Sequence, residues 1–145
     1  MSIQSELESL LAATGASRVT LRQETPGEVF PVTHEALAPG VGSLVGVETP
    51  NMAGQPVVLR VAQGQQVVQD DCGAEFTDDG PFHAMLELYG GMRAQIVTPI
   101  VRGGRTVAVV SLHQLGRTRS WSDAEIALCR RTAGRIGELL DAGEA

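Results

Sequence analysis

A chain of 145 residues, 43% hydrophobic and 19% charged, has the composition of one ordinary globular domain with a sizeable core. Its formal net charge of −6, from 17 acidic and 11 basic residues, argues against a broad nucleic-acid or anionic-membrane surface. No apolar run approaches the roughly 20 residues of a membrane helix, and the polar start does not read as a signal peptide. Two cysteines, Cys72 and Cys129, make neither a disulfide framework nor a zinc pattern, so the chain is most simply cytoplasmic.

Helical spacing of Ile3, Leu7, Leu10 and Leu11 predicts a first helix that stops at Gly15. Residues 17–23 set Val19 and Leu21 against Arg18, Thr20 and Arg22, the alternation of a strand with one apolar face. A turn at 24–27 leads to a second strand over 29–34. From 39 to 56 a series of prolines and glycines, among them Pro39, Gly42, Gly46 and Pro50, breaks every long regular element. A loop of that length is either functional or a plain surface connection. A short helix with Pro56 at its start runs to 62, and residues 65–69 form the next strand. An acidic stretch over 70–79 precedes a helix at 81–89, marked by Phe82, Met85, Leu86 and Tyr89.

Two runs rich in Val, Ile and Thr, 94–101 and 106–112, flank Arg102-Gly103-Gly104-Arg105 and predict a β-hairpin. Val107, Val109, Ser111 and His113 share one face of its second strand, and Ala108, Val110 and Leu112 the other. Apolar side chains on both faces place this hairpin centrally in a sheet that is covered on both sides. Pro99 implies a bulge or a missing ladder bond in the first run. The last helix, 122–140, opens on a capping box of Ser122 and Glu125 and carries an apolar stripe of Ile126, Cys129, Ala133, Ile136 and Leu140. The two terminal helices together offer more apolar surface than one sheet face needs, which predicts a homodimer through them.

No Ser-His-Asp motif, phosphate-binding loop or HExxH motif is present, and Gly103-Gly104 reads as a turn rather than a phosphate cradle. His83 and His113 are the sharpest candidates for chemistry. Imidazole suits haem or zinc, which keeps both as minor alternatives, although the spacing fits no compact metal motif. Asp70, Asp71 and Glu75 near Cys72 raise the pKa of its thiol and dull its reactivity. Arg93, Arg102, Arg105, Arg117 and Arg119 read first as a solvated rim, with contact to an anion as the sharper alternative.

Several of these segments resemble a GAF domain: Gly91-Met92-Arg93-Ala94, Pro99-Ile100, and the run from Gly103 to His113. Gln65-Gln66-Val67-Val68-Gln69-Asp70 upstream and Trp121-Ser122-Asp123-Ala124-Glu125-Ile126 downstream extend the resemblance over nearly the whole chain. It implies a single α+β domain over 1–145 with a central antiparallel sheet. The N- and C-terminal helices are expected on one face, and a pocket-covering helix and loops on the other. His83 and His113 are similar to two histidines of the bilin pocket in phytochrome GAF domains, and Gln95 and Val97 fall where those domains place small pocket side chains. The expected ligand site is therefore His83, Gln95, Val97, Val109, Ser111 and His113. Asp70-Asp71-Cys72 lacks the Asp-Ile-Pro tripeptide of those domains, and neither cysteine sits where a bilin is attached, so the expectation runs against a bilin.

Two other branches of the family fit less well. GAF enzymes that reduce methionine sulfoxide use several cysteines, and Gly40-Val41-Gly42, nearest to their Gly-Val-Cys-Gly segment, has no thiol. The Asn-Lys-Phe-Asp-Glu signature of cyclic-nucleotide GAF domains is absent. What the resemblance implies is a free-standing sensory domain that binds a small molecule and acts on a separate effector protein. GAF receptors for nitrate keep a small anion among the ligands. The alternatives are a GAF-fold enzyme using pocket histidines for acid–base chemistry and a ligand-free dimerisation module.

Overall fold

Strands β1 (Arg18–Gln23), β2 (Val32–Leu37), β3 (Val67–Gln69), β4 (Met92–Arg102) and β5 (Arg105–Leu115) form one sheet in the order β2-β1-β5-β4-β3. Every neighbouring pair is antiparallel. The structure is a computed structural model and describes residues 2–143. The β4–β5 hairpin sets this order. Gly103 and Gly104 take φ of 61° and 78°, a pair of left-handed residues that glycine supplies without a Cβ clash. β5 thereby becomes the central strand, with β1 on its other side.

Helices α1 (Ile3–Thr14) and α4 (Asp123–Asp141) cover one face. Both open on capping boxes, at Ser2 with Ser5 and at Ser122 with Glu125, and α1 stops at a left-handed Gly15. Their stripes bury Ile3, Leu7, Leu10, Cys129, Ala133 and Ile136 against Val19, Leu21, Ile96, Val110 and Leu112. A buried Glu6 pairs with Arg135 and ties the two helices together. Leu7 and Ile136, both assigned to the predicted homodimer stripe, are 0% exposed within the single chain and pack on the sheet, while Ile126 and Leu140 of that stripe are only partly buried.

The opposite face carries α2 (Pro56–Ala62), α3 (Gly80–Leu88) and the connection between β2 and α2. Val57, Val61, Phe82, Met85, Leu86 and Tyr89 pack there against Val67, Met92, Val97 and Val109. Arg18, fully within this layer, donates to the carbonyls of Gly42 and Tyr89 at 3.0 and 3.1 Å, so one guanidinium pins the long connection to the end of α3. Among the described residues no helix is long and apolar enough to cross a membrane.

Two details depart from the periodicity of the sequence. The second strand begins at Val32 rather than 29, because Phe30 turns at φ 44° and Pro31 has no N–H to give a ladder. The irregularity expected at Pro99 lies one step further along. Pro99 pairs with Val109 and Ile100 with Ala108, but Val101 pairs with Thr106, leaving Val107 as the extra residue of a bulge. Val107 therefore packs with the helix-side core, and Thr106, not Val107, joins Val109, Ser111 and His113 on the other face.

Candidate functional site

Between the sheet and the α2–α3 layer lies a cavity of about 200 Å³. Its floor comes from the hairpin. Gln95 stands directly across the ladder from His113, and Val97 from Ser111, so two cross-strand pairs form a four-residue patch. Val109 and Thr106 extend this floor along β5, and Thr106 donates to the Val61 carbonyl at 2.7 Å, fastening α2 over it. The walls are Val57, Val58, Val61 and Ala62 from α2 with Met85 and Tyr89 from the α3 side. Val29, half exposed, and Arg105 stand where the cavity meets the surface.

His113 is 3% exposed. Its Nδ1 lies 3.1 Å from Nη1 of Arg18, and since a guanidinium only donates, this nitrogen accepts. A neutral ring then keeps its hydrogen on Nε2, the remaining donor. Burial first, then the charges of Arg18 and Arg22, hold the His113 pKa well below the usual imidazole value. The Tyr89 ring stacks on it at 5.8 Å between centroids and 25° between planes, which fixes its orientation. Arg22 lines the cavity too, donating to the Phe30 carbonyl and to the Tyr89 hydroxyl, each at 2.9 Å. Gln95 reaches back to Gln69, donating to its Oε1 at 2.7 Å.

Five of the six residues singled out in the sequence, Gln95, Val97, Val109, Ser111 and His113, surround this one cavity. His83 does not. Met85 and Tyr89, four residues apart, share the cavity side of the helical turn, and a residue two positions before Met85 points the other way. The His83 ring meets the Glu75 carbonyl at 3.0 Å through Nε2 and packs edge-on against Phe82. With the two imidazoles on different sides of α3, they do not form an acid–base pair, and haem or zinc held by both is ruled out. Among the described residues no three His, Cys, Asp or Glu side chains converge to hold a metal. Cys72 and Cys129 both lie outside the cavity lining, each buried with its thiol pKa pushed up to about 12, chiefly by burial.

Arg22, Gln55 and Tyr89 are among the lining residues that sequence reasoning passed over. The first hid in the polar half of an alternating strand, which reads as a solvent face. That face meets the cavity instead because the α3 end and the β2–α2 connection pack over it, as the bonds of Arg18 and Arg22 to Tyr89 and Gly42 show.

Solved structures of similar fold are cyanobacteriochrome GAF domains. The PixJ GAF domain of Thermosynechococcus elongatus in its blue-light absorbing form has 18% identity and a TM-score of 0.76, over 97% of this chain and 86% of that one. A GAF domain of Slr1393 from Synechocystis sp. PCC6803, in its photoproduct state, also has 18% identity and a TM-score of 0.76, over 99% and 97% of the two chains. The far-red absorbing dark state of JSC1_58120g3 with bound biliverdin IXa has 22% identity and a TM-score of 0.78, over 96% and 87%. Likeness at these identities is a likeness of fold. It nonetheless overturns the argument against a bilin: the shared fold is one in which biliverdin is bound. The missing thiol speaks against covalent attachment and not against the ligand. No curated protein sequence matches the chain. The sequence model of the GAF domain matches residues 2–140, and with the antiparallel sheet and its two helical layers this settles the family: the chain belongs to the GAF domains.

Proposed function

We propose that this GAF domain is a sensor that binds an elongated, largely apolar small molecule in the cavity over β4 and β5, and that a separate effector protein reads its occupancy. The observation that carries this reading is the cavity itself. Apolar walls from Val57, Val61, Val97 and Val109 enclose a small convergent set of polar groups, Gln95, Ser111 and His113, the usual make-up of a small-molecule site. A non-covalently held bilin, larger than the 200 Å³ enclosed here and so extending out beside Val29 and Arg105, is the first candidate, supported by the biliverdin in a domain of the same fold. When bound, a bilin supplies absorption of visible light. The chain's own part is to stack, orient and shield: the Nε2–H of His113 is a fixed donor to a lactam or carbonyl oxygen, and the valines exclude water. Transmission to an effector is supported by Arg18, which links His113 to the Gly42 carbonyl in the surface connection.

Titration of the purified protein with biliverdin IXa, followed by absorption and by thermal unfolding, tests the reading. Saturable binding should perturb the long-wavelength band, and a ligand at a hundredfold excess over Kd should stabilise the fold by about 2.7 kcal/mol. Acid denaturation should release all pigment, since no thiol lines the cavity. Absence of any spectral or thermal response to biliverdin would remove the bilin. Absence of a response to a wider panel of apolar carboxylates and amides would remove the sensor reading.

A further inference from the structure

We infer that the occupant of this cavity carries an anionic group, a carboxylate or its equivalent, that seats on Arg22. The inference rests on the small-molecule reading above and gives that molecule its charge. Arg22 is 8% exposed, and its bonds to the Phe30 carbonyl and Tyr89 hydroxyl leave donors of the guanidinium unused. Among the described residues it has no ion pair with a carboxylate, and no Asp or Glu lines the cavity. A guanidinium does not escape burial by losing its proton, so the positive charge stays. Arg18 behind it is a second buried guanidinium with no carboxylate at ion-pair distance, although the charge of Glu35 reaches it, and His113 between them stays neutral. A ligand anion is what balances this wall. Arg105 at the rim is a different case, since Glu24 already neutralises it at 2.5 Å.

A second atom narrows the chemistry further. Gln55 is 0% exposed and lines the same cavity; its Nε2 is taken by the Pro50 carbonyl at 2.6 Å, while its Oε1 is buried without a partner. Such an acceptor is costly to leave unmet, so the occupant also brings an N–H or O–H. A bare inorganic anion would leave the valine walls unfilled. The ligand class is an apolar body with an acidic group and a hydrogen-bond donor.

A matched dye pair tests this: 8-anilinonaphthalene-1-sulfonate, which has the acid, and N-phenyl-1-naphthylamine, which lacks it, with biliverdin IXa and its dimethyl ester as a second pair. Affinities are measured by fluorescence on the wild type, Arg22→Gln and Arg22→Lys, with folding checked by circular dichroism. The anionic dye should bind the wild type at least about tenfold more tightly than the neutral one, a gap that Arg22→Lys partly keeps and Arg22→Gln closes. The gap should close through weaker binding of the anionic dye. Equal affinities in the wild type overturn the inference whether or not a variant folds, as does a gap that survives Arg22→Gln. If the dye gap is found but biliverdin does not bind, the bilin is wrong and the anion subsite stands. If no probe binds, the site and the inference fall together.

Discussion

His113 is held neutral between two positive side chains, and this makes the fold sensitive to acid. Its folded pKa lies well below the ordinary value of 6.5, through burial and then through Arg18 and Arg22. As the pH falls through 6.5 the unfolded chain takes up a proton that the folded one refuses, so the unfolded state binds more protons. The stability linked to this ring is complete above 6.5 and declines below it, by up to about 1.4 kcal/mol per pH unit. Urea unfolding at pH 7.5 and 5.5 should show that loss in the wild type and a smaller one in His113→Gln; identical losses would show that other groups carry it. The same scale explains the uneven legibility of the site. Strand residues 109, 111 and 113 were readable because a two-residue period fixes their face, and 95 and 97 through the resemblance to phytochrome GAF domains. His83, carried over from the resemblance, misled because helix phase decides which side a ring takes. Gln55 gave no signal, since it lies at the end of a run whose prolines and glycines hide any period.

The capping box at Ser122 is the clearest case in which an element's start was written in the sequence. Ser122 Oγ accepts from Glu125 N–H at 3.1 Å, and Glu125 Oε1 accepts from Ser122 N–H at 3.0 Å. Ser122→Ala should cost about 1 kcal/mol and lower Tm by roughly 3–5 °C without moving ligand affinity, which calorimetry beside a dye titration would check. Helices α1, α2, α3 and α4 were all legible, each through its apolar spacing or its opening residue. Strand ends were less so. β2 began three residues late because a backbone turn at Phe30, invisible in hydrophobic pattern, delays its pairing. The bulge was sensed through Pro99, yet its place depends on how two strands add up across the ladder, which neither strand records alone.

For the molecule as a whole, the two thiols sit one in each layer, Cys129 on the buried face of α4 and Cys72 in the layer that holds the cavity. Both are essentially unexposed, with pKa values pushed up to about 12, so neither is nucleophilic in the native protein. Ellman's reagent at pH 8 should therefore label the folded chain only as fast as each layer opens. If the two sides unfold as one unit, both thiols react at one rate; a faster Cys72 would mean that the cavity layer opens on its own, and a faster Cys129 that the α1–α4 layer does. A ligand in the cavity should slow Cys72 in either case.

Val107 gives the fold a property that no side chain confers. Because it is one residue more than the ladder needs, the residues on its two sides answer to different alternations. Deleting Val107 would make Ile100–Ala108 and Val101–Thr106 successive pairs of a regular ladder, with Thr106 still facing the cavity and still in reach of the Val61 carbonyl. The rim of such a cavity thus tolerates the loss of one residue, a coarser form of variation than substitution, while the floor formed by residues 95, 97, 111 and 113 keeps its register.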